Sequence, residues 1–326
     1  MLYVSRVTDD GYYITDTTDG IEEVVDKSQL LEIIRLGLNV QGVSVYNGNA
    51  SIRACSPEGI LASIRLGVSN DFIIKLVDNE IALVRYIGNK DSIIVPSGVT
   101  RILNNNSLER TRGIRSIQIP DTVKRLGDMN FYNHKILESV QLPRIIKCLD
   151  GRFTFNSCEN LKSIIIPDGV TDLKDLCFFS CKNLRSIVIP NSVKSIGNNC
   201  FIDCSSLEHV QIPDSVISLG EKCFLNCTSL KSIQLSSSII RLGRSCFQNC
   251  GSLEFIEIPN SVVGLGEKCF AYCKSLAYIE IPSSVQSIGD RCFSGCKGLR
   301  CIKAPIRLKS ELDRFSLPAN CVIKYY

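Results

Sequence analysis

The 326-residue chain has little of what catalytic sites and nucleic-acid surfaces are made from. Histidine occurs twice, at His134 and His209, far apart in the chain, and no nucleophile, histidine and acid form a recognisable set. A Walker loop, a GxGxxG following a strand and an HExxH are all missing, so no catalytic, cofactor-binding or metal residue is assigned. Charge is dispersed: 37 basic and 33 acidic residues give a net +4 without a run of five or six like charges. Neither nucleic acid nor an acidic membrane surface is the expected partner.

The opening MLYVSRVTDDGYYITD lacks the basic start, apolar core and small-residue cleavage site of a secretory leader. Every apolar stretch is interrupted by proline, lysine or aspartate before it could span a bilayer. The expectation is a cytoplasmic chain, with the cell surface reached by a non-classical route as the alternative. Seventeen cysteines would suggest a disulfide scaffold in a short exported chain, but 326 residues at 44% apolar content can bury a full core without such staples.

What the sequence does have is repetition. Proline recurs at Pro96, Pro120, Pro143, Pro167, Pro190 and Pro213, gives way to Ser236, and resumes at Pro259, Pro282 and Pro305, a step of 23 residues that is twice 24. In register run Leu108, Phe131, Phe155, Phe178, Phe201, Phe224, Phe247, Phe270 and Phe293. The unit reads IPxSVxxIGxxCFxxCxxLxxIxI. Its end alternates as a strand does, while Ile196, Cys200, Cys204 and Leu207 have the spacing of a helical turn. Such a unit cannot bury its apolar side alone, so stacking into a right-handed parallel solenoid follows. The glycines at 197, 220, 243, 266 and 289 mark a bend that excludes a side chain or requires positive φ.

The phrase IPNSVKSIGNNCFIDCSSLEHVQIP resembles the 23-residue leucine-rich repeats of BspA-like bacterial and protist proteins, and the likeness covers about residues 92 to 305. The resemblance implies an α/β leucine-rich-repeat solenoid of parallel strands plus short helical turns, and a surface that binds other proteins. That family usually has alanine before the phenylalanine; here Cys177, Cys200, Cys223, Cys246, Cys269 and Cys292 stand there. A second column, Cys158, Cys181, Cys204, Cys227, Cys250, Cys273 and Cys296, follows each phenylalanine by three, with His134 in the earlier unit. Both columns are expected to point inward as free thiols, small buried hydrophobes with a weak donor. Dispersed CxxxC pairs do not gather four ligands for zinc. Disulfides between stacked units are the alternative in an oxidising environment.

The organisation expected is a small duplicated α+β domain over residues 1–90, the solenoid over 91–305, and a cap over 306–326. In the first region short helices end at Gly37 and Gly67, and Asn47-Gly48 and Asp78-Asn79 make hairpin turns.

Alternation sends one column of strand residues outward, Ser116, Ser139, Ser163, Ser186, His209, Ser232, Phe255, Tyr278 and Cys301, and beside it Gln118, Gln141, Ile165, Val188, Gln211, Gln234, Glu257, Glu280 and Lys303. Most are small and polar. The aromatic and acidic cluster of Phe255, Glu257, Tyr278 and Glu280, with His209 on the same face, is the candidate partner site; Ile165 and Val188 form a second apolar candidate. The expected function is a non-enzymatic binding scaffold; the alternatives are an exported BspA-like surface adhesin and, third, an enzyme with its site at the junction of residues 1–90 and the solenoid. The scaffold's partner is a protein of basic character, with a glycan as the alternative.

Overall fold

The repeating alternation of outward polar and inward apolar residues does make a strand in nearly every unit. The computed structural model describes the strands within residues 2–86 as backbone, and residues 82–326 in full apart from 84, 87, 97–98, 104–107, 109–112, 128, 147–148 and 150–153. Successive units pair parallel and in register, Ser116 with Ser139, Ile117 with Val140, Ser163 with Ser186, His209 with Ser232. The main wall is an eight-stranded parallel sheet running from Ser92–Ile94 to Phe255–Ile256. A three-stranded sheet follows, made of Tyr278–Glu280, Cys301–Ala304 and Val322–Tyr325.

The segment read as a helical turn is not helical, and this corrects the α/β expectation to a parallel β-solenoid with very little helix. Two residues per unit carry positive φ, such as Asn199 (57°) and Asp203 (60°), or Lys222 (54°) and Asn226 (62°). Each immediately precedes a cysteine of one of the columns. A left-handed residue breaks an α-helix of L-residues, so the chain turns twice instead of coiling. The backbone amides at these bends bond across units: Asn199 N–H donates to the Glu221 carbonyl at 2.9 Å, Phe201 N–H to Cys223 at 2.8 Å and Asp203 N–H to Leu225 at 2.9 Å. A helix would have satisfied these groups within its own turn; here they form a second ladder along the solenoid.

Ile196, also assigned to that turn, lies instead in a two-residue strand. Such strands form a third wall in two short sheets, Asp172–Leu173, Ser195–Ile196 and Ser218–Leu219, then Arg241–Leu242, Gly264–Leu265 and Ser287–Ile288. Four of the five repeat glycines, at 197, 220, 266 and 289, are required by crowding: a Cβ on Gly220 would fall 2.4 Å from the backbone of Gly197 and Asn198, whereas at Gly243 the nearest atom would be 3.3 Å away. Their φ is not positive; among the described glycines only Gly295 has that conformation.

One continuous core runs from Leu83 to Leu312. Its spine is the phenylalanine column, whose rings from Phe131 to Phe293 stack nearly parallel with centroids 5.0 to 5.8 Å apart. Both cysteine columns are buried and unpaired as disulfides.

In the first region, Glu80–Tyr86 pairs parallel with Arg101–Ile102 and so joins the solenoid ladder. Antiparallel pairs bracket both expected turns, Tyr46 with Asn49 and Val77 with Glu80. The helix expected before Gly37 lies outside the described residues; the one expected before Gly67 is corrected at Leu61–Ala62, which form a strand pairing antiparallel with Lys75 and Ile74. At the far end Ile306–Leu308 and Lys309–Leu312 are short helices that bury Leu308 and Leu312. The chain then returns as Val322–Tyr325, one further parallel strand.

Candidate binding site on the strand face

Outward residues of the main wall are exposed in the alternating pattern of the strands. Four of the five candidate residues, Phe255, Glu257, Tyr278 and Glu280, line one hollow of about 420 Å³. His209 stands two strands away and is not part of it. Its Nδ1 lies 2.8 Å from Ser232 Oγ. This pair is exposed on an open ladder, and among the described residues no acid is bonded to the ring as the third member of a nucleophile–base set.

The hollow opens where the main wall is interrupted. Phe255–Ile256 ends the eight-stranded sheet and Tyr278–Glu280 begins the next, and no backbone hydrogen bond joins residues 254–258 to 277–281. The same two units remain bonded elsewhere, by Phe247 N–H to the Cys269 carbonyl at 2.8 Å and by pairing of Leu242 with Leu265. Between these two units the strand wall thus lacks the backbone bonds that the other two walls keep.

Within the hollow the two carboxylates differ. Glu280 accepts from Lys303 Nζ at 2.7 Å and from the Tyr278 hydroxyl at 2.9 Å. The Lys303 bond, then that from Tyr278, holds its pKa below the usual carboxylate value. Glu257 has no ion pair or hydrogen bond among the described residues. Tyr326 completes the rim: its hydroxyl donates to the Ile281 carbonyl at 2.7 Å and Lys303 Nζ lies 5.3 Å from its ring centroid. Sequence reasoning left this tyrosine without a role, although the alternation in CVIKYY was a signal for one more strand.

A larger hollow of about 630 Å³ lies around Ser139, Gln141, Arg144, Ser163, Ile165 and Asp168. Its one cation is engaged, since Arg144 Nε donates to Asp121 at 2.8 Å. Ile165 and Val188 are strongly exposed beside each other. It offers mainly apolar area, with Asp168 at its edge but no exposed aromatic ring beside that carboxylate.

The thiols of both columns lie in the core and line neither hollow. The second column donates across units, for example Cys204 Sγ to the Phe178 carbonyl at 3.1 Å and Cys227 Sγ to Phe201 at 3.2 Å. Burial pushes the Cys177 and Cys246 thiols up to about 12, and raises the others of both columns too. They stay protonated, the wrong form for a ligand or nucleophile. No group of three or more metal-ligating side chains occurs among the described residues. No helix among the described residues is long and apolar enough to cross a membrane.

Residues 85–208 and 194–315 match the BspA type leucine rich repeat region. The chain belongs to the BspA-type leucine-rich-repeat family. No curated protein matches it significantly. Among solved structures, it is similar to a leucine rich cell surface protein from Faecalibacterium prausnitzii at 24% identity, covering 77% of this chain and 95% of that one with a TM-score of 0.36. A T. pallidum leucine rich repeat protein has 23% identity, 78% and 99% coverage and a TM-score of 0.44. A leucine-rich repeat protein from Bacteroides ovatus has 20% identity, 99% and 100% coverage and a TM-score of 0.49.

Proposed function

We propose that this repeat protein is a non-enzymatic scaffold that binds a protein partner on its strand wall, at the hollow formed by Phe255, Glu257, Tyr278 and Glu280. The observation that carries the reading is the interruption of the sheet at those residues, where exposed rings stand beside carboxylates on a wall that is otherwise mostly small and polar apart from Ile94, Ile165 and Val188. Exposed aromatics in a recess are the usual anchors of interfaces, and nearby carboxylates select a basic partner and speed its approach. The rigid repeat behind them limits the ordering cost of association.

The test is capture of the natural partner by the full chain and by variants. Glu257→Lys with Glu280→Lys is expected to abolish capture with the fold intact by circular dichroism, and Phe255→Ala to weaken it by about 1 kcal/mol or more. Undiminished capture by all variants would place the interface elsewhere, with residues 1–90 the next segment to examine.

A further inference from the structure

We infer that the hollow is a receptor for one arginine side chain of the partner, with Glu257 as counter-ion and Phe255 and Tyr278 as stacking surfaces. This inference rests on the strand-wall reading above and specifies its chemistry.

Charge is its first support. Beside the strand wall, acidic side chains are matched by neighbouring units: Glu138 lies against Arg115 and Lys162, and Glu208 against Lys231. At the interruption this matching fails. Glu254 follows Lys231, which bonds Glu208, and the next unit offers Ala277 at the same place. Glu254 and Glu257 both lack an ion pair among the described residues. The hollow is left with one uncompensated carboxylate on its lining, Glu257.

The second support is an internal template. Lys303 sits between the Glu280 carboxylate, 2.7 Å away, and the ring of Tyr326, 5.3 Å from its centroid. The chain thus already places one cation between a carboxylate and an aromatic face. One unit earlier, Glu257 stands beside Phe255 and Tyr278 with the same ingredients and no cation. Phe255 is 54% exposed and Tyr278 37%, so ring surface is available to a ligand.

Arginine fits better than lysine here. Its guanidinium is planar, stacks on rings and forks onto a carboxylate, and it loses less hydration than an ammonium on contact. A hollow of about 420 Å³ has room for a side chain of this size.

The probe is a blocked peptide, acetyl-Gly-Ser-Arg-Ser-Gly-amide, and its citrulline twin, a neutral near-isostere. Each is titrated into the full chain while the side-chain resonances of Phe255 and Tyr278 are followed. The arginine peptide is expected to shift both saturably and to bind at least about tenfold more tightly than the citrulline peptide, because a charge-assisted pair is lost in the latter. Glu257→Gln should bring arginine binding down to the citrulline level. Lys303→Gln should raise it several-fold by releasing Glu280, and a merely structural disturbance would not give these opposite signs. Equal binding of the two peptides, or arginine binding indifferent to Glu257→Gln, overturns the inference. If that happens while Phe255→Ala still weakens capture of the natural partner, the strand-wall reading stands with another chemistry; if capture is also unchanged, both fall. Binding of a neutral oligosaccharide with the same resonance shifts, and none by the arginine peptide, would likewise overturn it in favour of a glycan.

Discussion

Phe315 sets its ring edge-on to Phe293, with centroids 6.1 Å apart and planes at 73°, whereas every earlier pair of phenylalanines in the column is parallel. A parallel ring would present the same open face to a further unit. The turned ring closes the column, and Leu308 and Leu312 bury beside it. A repeat stack needs a terminal unit that covers its open apolar end.

Phe315→Ala should therefore destabilise the last units, by about 1–3 kcal/mol given partial burial and loss of the edge contact. Amide exchange is expected to speed up near Phe293 and Cys301 and to remain unchanged near Phe155. Equal acceleration throughout would mean that the units do not act through their neighbours alone.

Phe224 lies between Phe201 at 5.2 Å and Phe247 at 5.6 Å and is fully buried. Its replacement by alanine should cost about 3–5 kcal/mol, from lost transfer energy and an unfilled cavity. Chemical denaturation measures the loss. A change under about 1 kcal/mol would be incompatible with a buried ladder.

Much of this was legible in the residues. The columns of Phe131 to Phe293, both cysteine columns and the outward face of each strand follow from period alone, because a repeat forces equivalent residues into equivalent places. The first bend was not legible: Lys222 and Arg291 occupy the place of Asn199 at 54° and 56° and carry no mark of that conformation. The second was marked, since Asn133, Asp203, Asn226, Asn249 and Gly295, residue types tolerated at positive φ, hold its place. Inter-unit hydrogen bonding stabilises both bends, and that is a property of the stack. The grouping of Phe255 with Tyr278 was visible; the interruption between their strands and the arrival of Tyr326 depended on how the end of the chain folds back.

The two cysteine columns should respond oppositely to serine. Cys204 Sγ donates to the Phe178 carbonyl at 3.1 Å, whereas Cys200 makes no such bond to a carbonyl among the described residues. Cys204→Ser keeps a donor and should be milder than Cys204→Ala, contrary to what burial alone suggests. Cys200→Ser leaves the hydroxyl proton without a carbonyl to accept it and should cost about 1–3 kcal/mol more than Cys200→Ala. Melting of the four variants side by side decides it; the same order in both columns would remove any role for the thiol bonds.

His134 takes the place of a second-column cysteine and gives the solenoid a pH dependence. The ring is 5% exposed, and its Nε2 has no hydrogen-bond partner. Burial lowers its pKa from 6.5 to about 4, while a hydrogen bond with the Leu108 backbone works the other way. The folded protein thus favours the neutral ring, and the unfolded chain binds the extra proton between those values. The His134 contribution is complete above about pH 6.5 and is lost as pH falls toward 4, amounting to roughly 3 kcal/mol. In His134→Cys, which restores the residue used by later units, that fall should disappear, and the variant's unfolding free energy should be flatter than wild type between pH 6.5 and 4. Parallel curves for the two proteins across this window would show that the ring is solvated and that acid sensitivity arises from the surface carboxylates paired with Lys162, Lys182 and Lys231.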